Sequence, residues 1–379
     1  MRVRQIKALI SFMFVSVIFL YAHHVFASKE SVRSSWDFGG RLLLDVDHYK
    51  AFHSNDAEKS TTENEIRSAR FSAGYKPFAF IRSSINIEYD DADDEIKLDS
   101  LSFDYIAPFE TVFSIGKQKE QLGFEVSTSL SDITSIERSM ASTAFSAGKN
   151  WGLFVSHKTK RWYVTGSYTQ FDNSDDQFPN NKPESLSLRS SWLPIKIEDV
   201  KFHIGASYSY RDWKDNIFQI RESGEIHTAD NIIRSAEFLA KDINIYNFES
   251  LLIYRNTSLQ SEFFNSSVVD VNGAEWSFSG YYIQAAYLLN GKRKYNPEKL
   301  NAVKPMSLYG AWEFLIKYSY LDSRDHGLGA ISSIITSGIN YHYKEYRVMF
   351  NYLVSDIEGS TRHNQTEGDA FSLRFQYDI

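Results

Sequence analysis

Along most of this chain apolar and polar residues alternate one for one. Between Ala79 and Asp90, residues Ile81, Ser83, Ile85, Ile87 and Tyr89 fall on one face, and Arg82, Ser84, Asn86, Glu88 and Asp90 on the other. The last residues repeat the pattern, with Phe371, Leu373, Phe375, Tyr377 and Ile379 set against Ser372, Arg374, Gln376 and Asp378. A helix would gather its apolar residues at spacings of three and four. A period of two belongs to an extended strand whose faces meet different surroundings. The same test places strands near 36–48, 64–75, 79–90, 97–107, 109–117, 150–158, 161–171, 185–193, 200–211, 245–255, 257–267, 275–289, 308–321, 330–343, 345–356 and 369–379, which makes 16. Segment 245–255 is the least regular, since Leu251, Leu252 and Ile253 are consecutive.

Strand length separates two all-β architectures. Strands of a soluble sandwich average about 5–6 residues, whereas a tilted strand crossing a bilayer needs ~9–11, and most of these segments are of the longer kind. The expected fold is therefore all-β, a transmembrane antiparallel β-barrel of about 16 strands. Connection lengths agree. Tight turns at Pro77, Pro108, Thr159, Asn256 and Lys344 alternate with the long segments 49–63, 118–149, 172–184, 212–244 and 357–368, as in bacterial barrels with short periplasmic turns and long outer loops. That parity puts both chain ends on the periplasmic side. Segment 290–307 breaks it, being long where a short turn is expected. All seven prolines (77, 108, 179, 183, 194, 297, 305) are expected in connections, because a strand interior cannot spare an N–H.

The first residues read as an export signal. Arg2, Arg4 and Lys7 precede an apolar stretch from Ala8 to Ala22, and Val25-Phe26-Ala27 forms a cleavage site. Residues 1–27 are thus assigned to a signal peptide and 28–379 to the barrel, destined for the outer membrane of a bacterial cell. Aromatic residues make up 15% of the chain, as expected where two aromatic girdles meet the bilayer interfaces. With no cysteine, disulfides and thiolate metal sites are excluded. The net charge of -7 gives no basic nucleic-acid surface, and nothing in the spacing calls for a cofactor or metal.

Strand parity also sorts the residues that face inward. Arg41, Arg70, Arg82, Arg189, Lys201, Arg211, Lys317, Arg347 and Arg374 are basic; Asp45, Asp47, Glu88, Asp104, Glu262, Glu313 and Asp378 are acidic. The lumen is mildly basic in an acidic chain, and a basic wall around a narrow aqueous path concentrates anions. The same charges could instead pair across strands and only stiffen the wall. The acidic run Asp90-Asp91-Ala92-Asp93-Asp94-Glu95 either binds divalent cations that bridge lipopolysaccharide or is a solvated loop. The segment from Lys117 to Asn150 is too long for a hairpin and carries Lys117, Lys119, Arg138 and Lys149. If it folds inward, it brings those cations to the path of solutes.

In that segment, Phe113 to Glu125, Ser129 to Ser139 and Ala144 to Leu153 resemble the phosphate-selective porin O and P family. Gly40-Arg41-Leu42, Glu65 to Arg70, Gly205 to Arg211, Gly310 to Glu313 and Leu373-Arg374-Phe375 extend the resemblance over nearly the whole mature chain. It implies a 16-stranded homotrimeric porin whose third loop folds inward, and whose basic residues draw small anionic solutes, phosphate among them. The anion path would then include Arg41, Arg70, Arg82, Lys117, Lys119, Arg138, Lys149 and Arg211. The chain departs from the family pattern at Ser131 and Ser68, where basic residues are common, and at the terminal Ile379. After the ninth strand an arginine-dense stretch is reduced to Arg221 and Arg234. A general non-selective porin and a structural or adhesin-type barrel are the competing readings. A barrel enzyme is not expected, since no Ser, His and Asp grouping stands out among ten histidines.

Overall fold

In the computed structural model, described for residues 34–50, 60–91, 94–172, 178, 181–231, 233–359 and 365–379, the alternating segments become long antiparallel strands. In chain order they are β1 (Ser35–Lys50), β2 (Ser60–Phe78), β3 (Ile81–Asp90), β4 (Glu95–Ala107), β5 (Thr111–Lys119), β6 (Lys149–Lys158), β7 (Trp162–Gln170), β8 (Glu184–Lys196) and β9 (Val200–Phe218). The short β10 (Arg221–Glu222) and β11 (Ile233–Arg234) precede β12 (Phe238–Tyr254), β13 (Thr257–Asp270) and β14 (Glu275–Leu289). The hairpin of β15 (Gly291–Tyr295) and β16 (Leu300–Pro305) follows, then β17 (Ala311–Asp322), β18 (Ile331–Tyr343), β19 (Tyr346–Glu358) and β20 (Gln365–Asp378). All but the two short hairpins close into one 16-stranded barrel. Each strand pairs with its neighbours in the chain, and β1 pairs with β20 from Arg41↔Asp378 to Lys50↔Asp369.

Every strand expected from the alternation is present. The irregular 245–255 lies within β12 up to Tyr254, and the buried Leu251 and exposed Leu252 keep the period of two. One expectation needs correction. Pro77 lies inside β2 and Pro194 inside β8, not in connections. Both fall where the ladder slips, between Tyr75 and Phe78 and between Trp192 and Ile195, and a bulge leaves unpaired the N–H that proline lacks. Segment 290–307 is long, as expected, and holds the β15–β16 hairpin, which forms a sheet of its own outside the barrel ladder.

The two faces sort as the parity requires. Ile85, Ile87, Phe371, Leu373 and Phe375 point out, while Arg374 and Ser372 are buried inside. Aromatic rings cluster on the outer surface near the tight turns, with Trp36 on Tyr75 (4.4 Å between centroids), Trp162 on Trp192 (5.2 Å), Trp312 on Tyr341 (4.7 Å) and Tyr346 on Tyr377 (4.9 Å). Rings with an apolar body and a polar edge belong at the lipid headgroups. Tyr105, near the end of β4, stands edge-on to Phe80 at 6.3 Å between centroids.

This face assignment is testable at Ile85. Replacing it with arginine puts a guanidinium in hydrocarbon and should cost about 2–4 kcal/mol of folding stability in liposomes. Urea titration of the folded barrel in vesicles measures the loss, and an unchanged midpoint would mean that Ile85 faces water.

Candidate functional site

The inside of the barrel is occupied by chain, and that filling starts where β5 ends. Gly123, at φ 98, turns the segment inward; a Cβ there would stand 2.3 Å from Glu262 Oε2, so only glycine fits. A single turn of helix, α1 (Phe124–Ser127), follows. Its first N–H groups have no partner within the helix, and those of Phe124 and Glu125 donate to the Glu262 carboxylate on β13 at 2.9 and 2.7 Å. The Glu125 carboxylate accepts from the Ser139 N–H and hydroxyl (3.0 and 2.9 Å), and so fixes the start of α2 (Met140–Phe145). Leu122, Met140 and Phe145 pack with Phe264 and Phe278 in a buried apolar cluster.

Between the two helical turns the loop runs against β17 to β20, and the wall binds its carbonyls. Arg347 donates to the Ile133 and Ser131 carbonyls (2.8 and 3.2 Å), Asn340 to that of Thr134 (2.8 Å), and Lys317 to that of Glu137 (3.0 Å). Arg374 donates to the Ile136 carbonyl and also grips Asp45 and Glu137, both at 2.6 Å. Three of the inward cations expected to line an aqueous path are therefore clamps for the loop.

Two further segments enter from opposite ends. On the tight-turn side, the β15–β16 hairpin meets Arg189, which donates to the Glu298 carbonyl at 3.0 Å and pairs with Glu249 at 2.8 Å. His203 bridges Glu249 and the Tyr295 hydroxyl. On the long-loop side, residues 219–237 dock through Glu225 to Lys317 (2.8 Å), His227 to Glu65 (2.9 Å) and the Thr228 hydroxyl to Asp47 (2.8 Å). A cavity of about 450 Å3 beside Lys201, Lys292 and Arg293 opens on the turn side. Another, of about 610 Å3, beside Lys149, Arg211 and Trp213, opens on the loop side.

The eight anion-path residues fall into three groups. Arg41 and Arg70 both pair with Glu88 at 2.8 Å, Arg70 reaches Asp99 at 3.1 Å, and Lys149 pairs with that same Asp99. Lys119 donates to the Val126 carbonyl (3.2 Å) and Arg138 to those of Thr128 (2.8 Å) and Glu125 (3.3 Å). These five cations lie close enough for Arg41, Arg70, Arg138 and Lys149 all to act on Lys119. Arg82 and Arg211 stand apart. Arg82 pairs with Asp104 at 2.7 Å yet keeps 52% of its side chain exposed, and Arg211 is buried between Glu120 (3.6 Å) and the Phe145 carbonyl (2.8 Å). Lys117 has the outward parity of Phe113 and Ile115 and pairs with Asp172 at 2.6 Å, so it does not join the cluster. Sequence reading missed Asp99, Glu120, Glu125, Glu137 and Glu249. Asp99 was hidden by a slip of the β3–β4 ladder between Asn86 and Ile87, which leaves Asp99 without a partner in register. Of the acidic run, Asp90 binds Arg67 (2.8 Å), and Asp91 accepts from the Ile66 N–H (2.6 Å).

Burial tunes the loop carboxyls. For Glu137 burial opposes charge, but the Arg67 and Arg374 guanidiniums outweigh it and hold the group well below the usual carboxyl range. Glu222 lacks such help: burial, then the charges of Glu225 and Glu137, push it well above that range. Burial also raises Glu225, although Lys317 pulls the other way.

A closed 16-stranded barrel with an apolar outer belt and an inward-folded loop bearing charge is an outer-membrane porin. The signature of the phosphate-selective porin O and P family matches residues 37–379, and the chain belongs to that family. It is 21% identical to Porin O of Pseudomonas aeruginosa over 387 residues, covering 90% of this chain and 88% of the relative. Among solved structures it is similar to in-vitro folded OmpT of Vibrio cholerae, with a TM-score of 0.60 at 13% identity, covering 93% of this chain and 100% of that one. An anion-selective porin from Comamonas acidovorans matches at a TM-score of 0.56 and 7% identity, over 92% and 100%.

The seating of the loops can be tested at two carboxyls. Glu262→Ala leaves the buried N–H groups of Phe124 and Glu125 unpaired, at about 1–3 kcal/mol each, so the variant should be cleaved faster between 120 and 148 in limited proteolysis and pass a larger, noisier current. For Glu222 the sign follows from the raised folded value. The docked loop holds the proton that a released loop gives up, so docking is firmest below the usual carboxyl range and weakens as pH rises towards the raised value. Open-channel noise should therefore increase as pH rises from the usual carboxyl range towards that raised value. Glu222→Gln should flatten that dependence.

Proposed function

We propose that this porin is a passive channel with a preference for small anions, working as a homotrimer in the outer membrane after residues 1–27 have been removed as a signal peptide. The observation that carries the preference is the composition of the charge cluster where the inward loop meets β1, β2 and β6. There Arg41, Arg70, Arg138 and Lys149 all act on Lys119, and the carboxylates that act on these five cations include Glu88, Asp99, Glu125 and Glu137. In a passage walled by protein, positive charge gathered in this way is screened far less than on an open surface.

The same geometry argues for a selective field without a tight binding site. Each of these cations is already held by a carboxylate or a carbonyl, so it contributes charge from a fixed position and has few donors left to offer a passing ion. Holding a phosphate against its hydration takes several free, convergent donors. Two positions that are often basic in the family are hydroxyls in this chain, and both are engaged: Ser68 with Arg41 and Glu88, Ser131 with Ser129. Chloride and small organic anions would pass, with phosphate held weakly. Because the family to which the chain belongs is one of channels, we read the buried polar networks as supports for the passage, not as catalytic groupings.

Reversal potentials across a planar bilayer under a salt gradient test this reading. Anions should be more permeant than cations, and the double variant Arg82→Glu with Lys119→Gln should move the permeability ratio severalfold towards cations. A cation-selective unmodified channel would refute the proposal, and block of its chloride current by micromolar phosphate would refute the claim of weak phosphate binding.

A further inference from the structure

At the long-loop end of the lumen, three potential metal ligands from three separate parts of the chain converge. Glu65 comes from β2, Asp90 from the end of β3 and His227 from the docked 219–237 loop, and one donor atom of each lies within 4.8 Å of the other two. We propose that they form a site for a borderline divalent cation of the Zn2+ type, which ties the loop to the barrel wall.

The spacing is close to what such an ion needs. Nitrogen and oxygen ligands sit ~2.0–2.2 Å from Zn2+, which sets tetrahedral neighbours roughly 3.5 Å apart. His227 Nδ1 is already 2.9 Å from both Glu65 oxygens, so the ion would enter where imidazole and carboxylate now share a proton. The Asp90 carboxylate, with an oxygen within 4.8 Å of the other two donors, has to move closer to join them. Its present partner, Arg67, would not be stranded, because Arg67 also pairs with Glu137 at 2.9 Å.

Charge provides an independent argument. Asp45, Asp47, Glu65, Asp90 and Glu137 gather in this part of the lumen, and the guanidiniums among them are those of Arg67 and Arg374. Asp47 is buried and its described partner from the loop is the Thr228 hydroxyl, while Glu65 is buried against His227. Carboxylates removed from water are normally paired with a cation or bound to a metal, and these two have no lysine or arginine partner among the described residues. One imidazole with two carboxylates suits Zn2+ better than Ca2+ or Mg2+, which take oxygen ligands. The site differs from the anion cluster in sign and in residues, and it does not depend on the selectivity proposed above.

The test is a calorimetric titration of the folded porin in detergent with Zn2+. One ion should bind per chain; His227→Gln and Asp90→Asn should each weaken that binding by about tenfold or more, while His326→Gln, at an exposed histidine, should leave it unchanged. Zn2+ should also slow proteolysis of the 219–237 loop in the unmodified protein and not in the His227→Gln variant. Heat-shifted migration on gels confirms that each variant has folded. Absence of Zn2+ binding, equal affinity in His227→Gln, or displacement by equimolar Ca2+ would each overturn the proposal.

Discussion

A bilayer has no water to satisfy backbone N–H and C=O groups, and the whole molecule follows from that one fact. A sheet can cross lipid only if it has no edge, so the first strand must find the last. Here β1 and β20 pair over ten residues. Once closed, the sheet has an inside too wide for its own side chains to fill, and the remaining question is what occupies the space. The answer is chain from both ends: the 120–148 loop, the 219–237 loop and the β15–β16 hairpin.

Chain inside a barrel brings backbone groups that need partners, and the wall supplies them as charges. Glu262 accepts from the N–H groups of α1, and Arg347, Lys317 and Arg374 donate to carbonyls of residues 131–137. Burying such charges is costly unless each is paired and hydrogen-bonded, and here each of these cations bonds to a carboxylate as well as to a carbonyl. These pairs are poor evidence of net stability. What they give is position, since a loop held at so many named atoms keeps Lys119 and Arg138 in one fixed place beside Arg41, Arg70 and Lys149.

The barrel was legible in the sequence because lipid and water impose opposite demands on alternate residues, and that demand acts on each strand separately. The inward parity of Arg41, Arg82 and Arg374 could be read for the same reason. Arg41 and Arg82 pair with carboxylates 47 and 22 positions along the chain, but what Arg374 does was not legible, because its partners lie hundreds of positions away. Arg374 meets Asp45 and Glu137 only through closure and loop docking. Glu249 lies in the segment where consecutive leucines blurred the alternation, and its role with Arg189 and His203 needs three strands and a hairpin in place. Local slips of register were hidden as well, which is why Pro77 and Pro194 were expected in turns and Asp99 was passed over. Lys117 shows the converse limit: charge and a family motif pointed inward, but its parity is that of its lipid-facing neighbours.

Arg374 belongs to the last strand of the barrel in chain order, and it binds both Asp45 on the first strand and Glu137 on the inner loop. Glu262, Asn340, Lys317 and Arg347 each grip the loop from a single strand, whereas the Arg374 contacts exist only where the first and last strands of the barrel have met. The seam of the cylinder and the seat of its inner loop thus share one guanidinium, so a change at either end of the sheet is felt by the segment that fills it.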